Sequence, residues 1–234
     1  MVLGNIEIEL IQKNIKNLHL SVLPPYGNVR ISAPLHLSKE TIRLYAISKL
    51  PWIKEQREKI RSQERESPRE FINRETLYFQ GRKYLLRIFE KEGPAKILLN
   101  NRYIDLYIKP GTHSTVRKRM IDQWHRNELK KIVPSYIANW EKKISVRVDD
   151  FGIKQMKTRW GSCNIEAKRI WLNLELAKKP LQCLEYIIVH EMVHLLERKH
   201  NDRFLAYLDK FIPDWRTRRQ ELNRLPVSHP NWTY

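Results

Sequence analysis

The spacing of apolar residues predicts that the chain begins with short strands. Ile6, Ile8 and Leu10 alternate with glutamates, which is typical of a strand with one buried face. Residues 5–35 are interpreted as a hairpin or a meander with its turn at 24–28, where prolines and a glycine cluster. This alternation also differs from a signal peptide, which needs a continuous apolar stretch.

A helix is predicted to follow Ser38, whose hydroxyl suits the N-cap position. Pro51 is expected to kink this helix or to split it into two, because proline lacks an N–H group and clashes with the preceding turn. Residues Tyr78–Ile108 then have the pattern of three short strands, separated by turn-forming residues at 91–94 and 100–101.

The second half of the chain has mainly the periodicity of helices. Thr115–Lys143 is predicted to be one long amphipathic helix with an interruption at Pro134. The pattern then predicts strands at 153–162 and 170–174, an apolar helix at 181–198, and two more helices that end near Asn223. We therefore predict an α+β protein. A β-rich part with one helix would occupy residues 1–110 and a second domain residues 111–234, unless the two pack as a single unit.

Composition narrows the class of protein. Of the 234 residues, 41% are hydrophobic, which is enough for a packed core. No apolar run reaches the roughly 18 residues that would indicate a membrane-spanning helix, so no membrane partner is expected. The two cysteines, Cys163 and Cys183, do not make a disulfide framework. A cytoplasmic location is expected, since thiols stay reduced there.

The chain carries 44 basic and 26 acidic side chains, a formal net charge of +18. Such an excess favours anionic partners, so nucleic acid is a candidate partner. The excess is spread along the chain rather than concentrated in one stripe. A solvated basic surface therefore explains it equally well.

The most specific chemical signal is the segment His190-Glu191-Met192-Val193-His194. On a helix, residues four apart lie on one face, so the two imidazoles can bind the same metal ion. The apolar run 187–189 indicates a buried helix, where polar side chains are costly unless a metal or a partner satisfies them. The pattern predicts one Zn²⁺ per chain, with His190 and His194 as ligands and Glu191 as general base.

His200 is the expected third ligand. If the helix continued, His200 would lie on a different face from His194, so the chain must break between the two. Asn201 or Asp202 is predicted to cap the helix that follows. Glu221, in a later helix, is the alternative third ligand. With three protein ligands the fourth position stays open for water, which is typical of a catalytic zinc.

The order of these motifs closely resembles the YgjP-like metallopeptidase-domain family, bacterial and archaeal relatives of the minigluzincins and, more distantly, of the SprT-like and WLM proteases. The resemblance is strongest over residues 154–224, and the motifs that carry it are Thr158–Asn164, Ile170–Leu174, Tyr186–His194, Arg198–Asn201 and Phe204. It implies a zincin-like catalytic domain, with the metal helix beside a small antiparallel sheet. It also implies metal ligands at His190, His194 and His200, and a catalytic base at Glu191.

In zincins an edge strand beside the metal helix holds the substrate backbone as an added strand, and Lys157–Ser162 is the candidate here. Gly161 would let a substrate chain approach closely, or it is only a bulge. Trp160 either forms the wall of a pocket or packs under the metal helix. Arg159 is the candidate for a second oxyanion donor, and Ser162 completes this predicted substrate-binding set.

Other polar residues near these motifs have less specific interpretations. Asn173 is expected to hydrogen-bond either a ligand histidine or the strand beside it. Cys163 is expected to be a small buried thiol rather than an additional metal ligand. His113, His125 and His229 have no partner at ligand spacing, so they are expected at the surface or at an interface.

The sequence therefore predicts a zinc-dependent hydrolase, and specifically a metallopeptidase. Zinc-activated water would attack a peptide carbonyl, and Glu191 would carry the proton to the leaving amine. The expected partner is a peptide or protein substrate. Two alternatives stay open: a metal-dependent hydrolase of nucleotide phosphoanhydrides, and a DNA-associated protease that acts on DNA-bound proteins.

Overall fold

The computed structural model describes residues 1–23, 26–62, 69–156 and 159–225, and it confirms an α+β protein. The chain forms two compact units, one within Met1–Glu66 and the other within Ser67–Leu225. The sheet that contains residues 76–108 thus belongs to the same unit as the predicted metal helix.

The first unit contains a four-stranded sheet with strand order β1-β2-β4-β3. Its strands are β1 (Val2–Leu3), β2 (Ile6–Lys13), β3 (His19–Leu23) and β4 (Asn28–Pro34). β3 and β4 form the predicted hairpin, and its Pro24 and Pro25 lie outside the described residues. β2 pairs with β4 in parallel, so the strands do not form a meander.

Two helices follow this sheet, α1 (Lys39–Ser48) and α2 (Leu50–Ser62). The Ser38 hydroxyl accepts a hydrogen bond from the Thr41 N–H at 3.1 Å and caps α1, as predicted. Pro51 lies in the first turn of α2, where a missing N–H costs little, so the predicted split into two helices is confirmed. The helices bury Ile42, Ala46 and Ile53 in one core with the sheet.

The second unit begins with a sheet of the order β5-β6-β8-β7. Its strands are β5 (Thr76–Phe79), β6 (Arg82–Glu90), β7 (Lys96–Leu99) and β8 (Tyr103–Ile108). The predicted separators between β6, β7 and β8 are confirmed. β5 is an additional strand, joined to β6 by a turn of only Gln80 and Gly81, both with positive φ (48° and 79°).

The two four-stranded sheets share one topology. In each, the inner pair is parallel, and the third strand in sequence lies at the edge, antiparallel to the fourth. An ion pair links equivalent positions of the inner strands, Glu9 with Arg30 and Arg87 with Asp105, each at 2.7 Å. The structure therefore contains a repeat that hydrophobic patterning does not reveal.

α3 (Ser114–Ile144) is a single helix of 31 residues, so the predicted interruption at Pro134 is wrong. Pro134 lies on the exposed side, where water can hydrate the carbonyl that loses its partner. The opposite side is buried at Ile121, His125, Leu129, Val133, Ile137, Trp140 and Ile144.

The third sheet has the order β10-β11-β9, with β9 (Asp150–Lys154), β10 (Gly161–Asn164) and β11 (Arg169–Asn173). β10 is antiparallel to β11, but β9 is parallel to it, so the sheet is mixed rather than antiparallel. The strand predicted at 153–162 is two strands, because the chain crosses from one edge of the sheet to the other between them.

A short 3-10 helix (Leu174–Lys178) leads to α4 (Leu181–Val193), α5 (Asp202–Phe211) and α6 (Trp215–Arg224). The last two are the predicted closing helices. α4 ends at Val193, five residues before the predicted end at 198. No helix in the described part of the chain is long and apolar enough to cross a membrane.

His125 is buried, which contradicts the surface position expected for it. It is 1% exposed and packs against Phe79 and Trp124, with ring centroids 6.1 and 4.9 Å away. Burial lowers the pKa of His125 to about 3, with a smaller contribution from the charge of Lys178. The imidazole is therefore neutral in the folded protein.

The predicted surface position of His113 is confirmed, and His229 lies outside the described residues.

His125→Leu should make the second unit less sensitive to acid. Below an unfolded-state pKa of about 6.5 the unfolded chain binds a proton that the folded chain excludes, so stability falls as pH falls from there toward about 3. The wild type should lose up to about 1.4 kcal/mol of unfolding free energy per pH unit more than the variant. Urea unfolding at several pH values measures this difference. The matched control is His113→Leu at an exposed position. An unchanged pH slope in His125→Leu would contradict the assignment.

Candidate metal centre

α4 is buried on nearly all sides. It packs against α3, α5, α6, β10 and β11. Beyond its first turn its aliphatic residues and methionine are each at most 1% exposed: Leu184, Ile187, Ile188, Val189, Met192 and Val193. The polar residues of its last turn are therefore held in a fixed, largely dry environment.

The chain reverses immediately after α4. The N–H groups of Leu195 and Leu196 donate to the carbonyls three residues back, at 3.0 and 2.9 Å, which tightens and ends the helix without a glycine. Asn201 caps α5 by accepting a hydrogen bond from the Phe204 N–H at 3.0 Å, as predicted. The predicted break between His194 and His200 is thus observed.

The reversal brings three imidazoles together. One nitrogen each of His190, His194 and His200 lies within 4.8 Å of the other two, so the group could hold a metal ion. The Nε2 atoms of His190 and His200 are 3.0 Å apart. His194 Nδ1 lies 3.2 Å from the carbonyl oxygen of Glu197, which leaves its Nε2 free to face the other two rings.

All three imidazoles are held in the neutral form that a metal ligand requires. Burial, followed by the proximity of the two other titratable imidazoles, His194 and His200, lowers the pKa of His190 to about 3. The pKa values of His194 and His200 are lowered as well, in both cases mainly by burial. Near neutral pH the three imidazoles therefore do not have to lose a proton before they can bind a metal ion.

An aromatic side chain supports the three rings. Phe204, the third residue of α5, is buried, and its ring centroid lies 4.7–5.0 Å from those of His190, His194 and His200. Sequence reasoning placed Phe204 in the family motif but gave it no role. Its spacing from the N-cap Asn201 could have indicated that its side chain faces back toward α4.

Glu191 follows His190 in α4 and is much more buried than a typical carboxylate, with only 5% of its surface exposed. Burial raises its pKa to about 8, partly opposed by the positive charge of Arg159. Gly161 of β10 packs directly against it. A Cβ atom at position 161 would lie 2.6 Å from Oε1 and 2.8 Å from Cγ of Glu191, so only glycine allows this approach.

β10 is the edge strand next to α4, and it overlaps the predicted substrate strand only at Gly161 and Ser162. Arg159 is exposed just before it, while Trp160 is 1% exposed and therefore supports the strand from the core. The group that approaches Gly161 closely is the protein's own Glu191. Lys157, the start of the predicted strand, lies outside the described residues.

Asn173 fixes the crossover that leads into β10. Its Nδ2 donates to the carbonyls of Met156 and Arg159 at 3.0 and 2.7 Å, and its Oδ1 accepts from the Glu175 N–H at 3.1 Å. Its own N–H donates to the Trp160 carbonyl at 2.9 Å. One buried amide therefore holds the segment that positions Gly161 against Glu191.

The structure also gives the positions of Cys163 and Glu221, the two other residues that were considered as ligands. Cys163 faces the same side of β10 as Gly161, and burial, with the nearby Glu191, raises its thiol pKa to about 12. This favours its interpretation as a structural thiol. Glu221 hydrogen-bonds Gln182 at the opposite end of α4, eight residues or about 12 Å before His190.

Arg219 of α6 is a site residue that sequence reasoning missed. Burial is the main reason for the lowered pKa values of His190 and His200, and the positive charge of Arg219 adds a smaller contribution to both. α6 lies against α4 because Trp215 stacks on Tyr186, with centroids 6.3 Å apart, and Arg219 follows one turn later. The site thus has two guanidinium groups nearby, Arg219 of α6 acting on the histidines and Arg159, just before β10, acting on Glu191.

Comparison with known protein families agrees with this geometry. The model of the YgjP-like metallopeptidase domain matches residues 16–225, so the chain belongs to that family. Membership implies a metal-dependent hydrolase. A search of curated proteins finds no match.

Gly161→Ala should destabilise the second unit by about 1–3 kcal/mol, because the new methyl group overlaps the Glu191 side chain. Thermal or urea unfolding measures the loss, and Ser162→Ala on the other face of the strand serves as the matched control. In a Glu191→Ala background, which removes the atoms in contact, the cost of Gly161→Ala should fall by about 1 kcal/mol or more. An equal cost in both backgrounds would show that Glu191 does not require the glycine.

Proposed function

We propose that the protein is a zinc-dependent metallopeptidase with a zincin-like catalytic centre. The observation that carries the proposal is the convergence of three neutral imidazoles beside a buried carboxyl group and an open strand edge. Membership of a metallopeptidase family supports the same activity. Both cysteines are free thiols, which fits the proposed cytoplasmic location.

The donor set suits zinc. Imidazole nitrogen is a preferred zinc ligand, and three protein ligands with one open position are typical of catalytic zinc. Two nitrogens on a tetrahedral zinc ion would lie about 3.3 Å apart, given Zn–N bonds of about 2.0–2.1 Å. The 3.0 Å between Nε2 of His190 and Nε2 of His200 is close to this value. His190, His194 and His200 would hold one ion per chain.

When bound, zinc would acidify a water molecule and polarise the carbonyl of the scissile peptide. Glu191 would accept the proton of the attacking water and deliver it to the leaving amine. A neighbouring cation favours the ionised form of a buried carboxyl group, so Glu191 would be a carboxylate in the loaded enzyme. Gly161 and α4 hold it in place, which prepares it for repeated proton transfer.

The substrate would lie along the free edge of β10. Main-chain groups of Gly161 and Ser162 would bind an extended peptide as an added strand. Arg159, exposed beside Glu191, would contribute a positive charge to the oxyanion that forms on the carbonyl oxygen. Trp160 would contribute by supporting this strand from the core. The partner is therefore a peptide or protein segment in extended form.

Two other substrate classes provide direct alternatives for an assay. Hydrolysis of nucleotide phosphoanhydrides would need cations near the site, and Arg219, which acts on His190, and Arg159, which acts on Glu191, are available. The family assignment gives this activity no support. A protease that acts on DNA-bound proteins would share the proposed chemistry, and only its substrate would differ.

His200→Ala should weaken zinc binding by orders of magnitude, because it removes one of three converging nitrogens. Glu221→Ala should leave zinc affinity almost unchanged, since its carboxylate is bound to Gln182. Elemental analysis should find about one zinc per chain in the wild type and almost none in His190→Ala/His194→Ala. Competition with a chromogenic chelator then ranks the single variants. The reverse ranking would remove His200 from the site.

Glu191→Gln should remain folded and zinc-loaded but lose hydrolytic activity by about 10²-fold or more, the usual scale for a missing general base. Glutamine keeps the shape and the contact with Gly161 but cannot accept the proton. The assay panel consists of unfolded proteins, short peptides, DNA-bound proteins and nucleoside triphosphates. Whichever substrate the wild type cleaves, full activity of the variant would contradict the mechanism. Cleavage of triphosphates alone would replace the peptidase assignment.

A further inference from the structure

The sheet β5–β8 has two different faces. One face is part of the core, and its buried residues are Leu77, Phe79, Tyr84, Leu86, Ile104, Leu106 and Ile108. The opposite face, here called the aromatic face, is formed by alternate residues that point away from this core: Thr76, Tyr78, Lys83, Leu85, Arg87, Phe89, Lys96, Leu98, Tyr103, Asp105 and Tyr107. Leu85, Phe89 and Leu98 are 40%, 39% and 44% exposed. Large exposed hydrophobic groups that form a contiguous patch indicate an interaction surface.

Aromatic rings and cations alternate across this face. Phe89 and Tyr107 are cross-strand partners, and their rings stack with centroids 4.9 Å apart and planes 16° apart. The guanidinium carbon of Arg87 lies 4.0 Å from the centre of the Tyr103 ring. The ammonium groups of Lys91 and Lys96 lie 4.6 and 4.9 Å from the centre of the Tyr107 ring.

The fold itself does not require these aromatic residues. In the first unit, the sheet of the same topology pairs Ile11 with Ser32 at the positions equivalent to Phe89 and Tyr107. His19 occupies the position equivalent to Lys96 in the edge strand. Because the same strand arrangement forms there without a phenylalanine or tyrosine at these positions, the fold does not require the aromatic rings.

The charge of the aromatic face is positive. Its one acidic residue, Asp105, is 3% exposed and makes two hydrogen bonds with Arg87, at 2.7 and 2.8 Å. Lys83, Lys91 and Lys96 are exposed. The exposed Glu90, at the end of β6, lies 3.7 Å from Arg117 and is partly compensated by it. Phosphate groups would therefore find cations beside the rings.

We propose that the aromatic face binds single-stranded nucleic acid, with bases stacked on Phe89, Tyr107 and Tyr103 and phosphates paired with the surrounding lysines. Unpaired bases expose ring faces that stack on aromatic side chains, whereas the bases of a duplex stack on one another. An acidic peptide would pair with the lysines, but it would not provide bases that stack on the aromatic rings. The overall charge of +18 would strengthen the attraction at low salt. The proposal is independent of the hydrolase assignment.

The test uses the full-length protein and a fluorescein-labelled oligothymidylate of about 12 nucleotides, with binding followed by fluorescence anisotropy at about 50 mM salt. Phe89→Ala/Tyr107→Ala should weaken binding by about ten-fold or more, since one stacked base contributes about 1–3 kcal/mol. The exchange variant Phe89→Tyr/Tyr107→Phe keeps both rings and should bind like the wild type. Thermal unfolding verifies that each variant is folded.

A second pair of variants distinguishes binding at the aromatic face from attraction by the overall positive charge of the protein. Lys91→Gln/Lys96→Gln should weaken binding and reduce the slope of log affinity against log salt by about 1.4, or about 0.7 per lost phosphate contact. Lys13→Gln/Lys16→Gln removes the same charge from exposed positions of the first unit and should change affinity by about two-fold at most. Three outcomes would overturn the proposal: no binding by the wild type, equal losses in both lysine pairs, or equally effective competition by polyglutamate or duplex DNA.

Discussion

The burial of α4 is the constraint on which the candidate centre depends. A helix packed on nearly every side cannot rotate or shift, so His190 and Glu191 hold fixed positions at its last turn. The same burial keeps the imidazoles neutral and makes an unsatisfied polar cluster costly. A bound metal ion would offset that cost. The same short helix therefore contributes to the core of the unit and carries residues of the candidate centre.

The rest of the second unit positions groups around this helix. Asn173 ties the crossover that leads into β10, and β10 in turn brings Gly161 against Glu191. From the other side, the turn after Val193 returns His200 to the cluster, where Phe204 supports the rings. Each contact joins segments that are separated in sequence. Substitution of Asn173, Gly161 or Phe204 would therefore disturb the site without changing a proposed ligand or the proposed base.

The two four-stranded sheets have the same topology, so a comparison of the two distinguishes features that the fold requires from features that belong to one surface. Both sheets bury alternate apolar residues and link their inner strands with an ion pair, Glu9–Arg30 in one and Arg87–Asp105 in the other. Their outward faces differ, because the tyrosines and Phe89 of the second sheet have no tyrosine or phenylalanine counterpart in the first. The shared features are explained by packing, and the difference indicates a separate binding role for the aromatic face.

The sequence alone determined the local features: the α4 helix, the one-face spacing of His190 and His194, the caps at Ser38 and Asn201, and most element positions. These follow from backbone periodicity and hydrogen bonds between residues a few positions apart. Only the tertiary structure decided the mixed sheet pairing, the burial of His125, the continuity of α3 through Pro134, the contact of Gly161 with Glu191 and the effect of the Arg219 charge on the histidines. These depend on which distant surfaces pack together, and no pattern within a single segment encodes that choice.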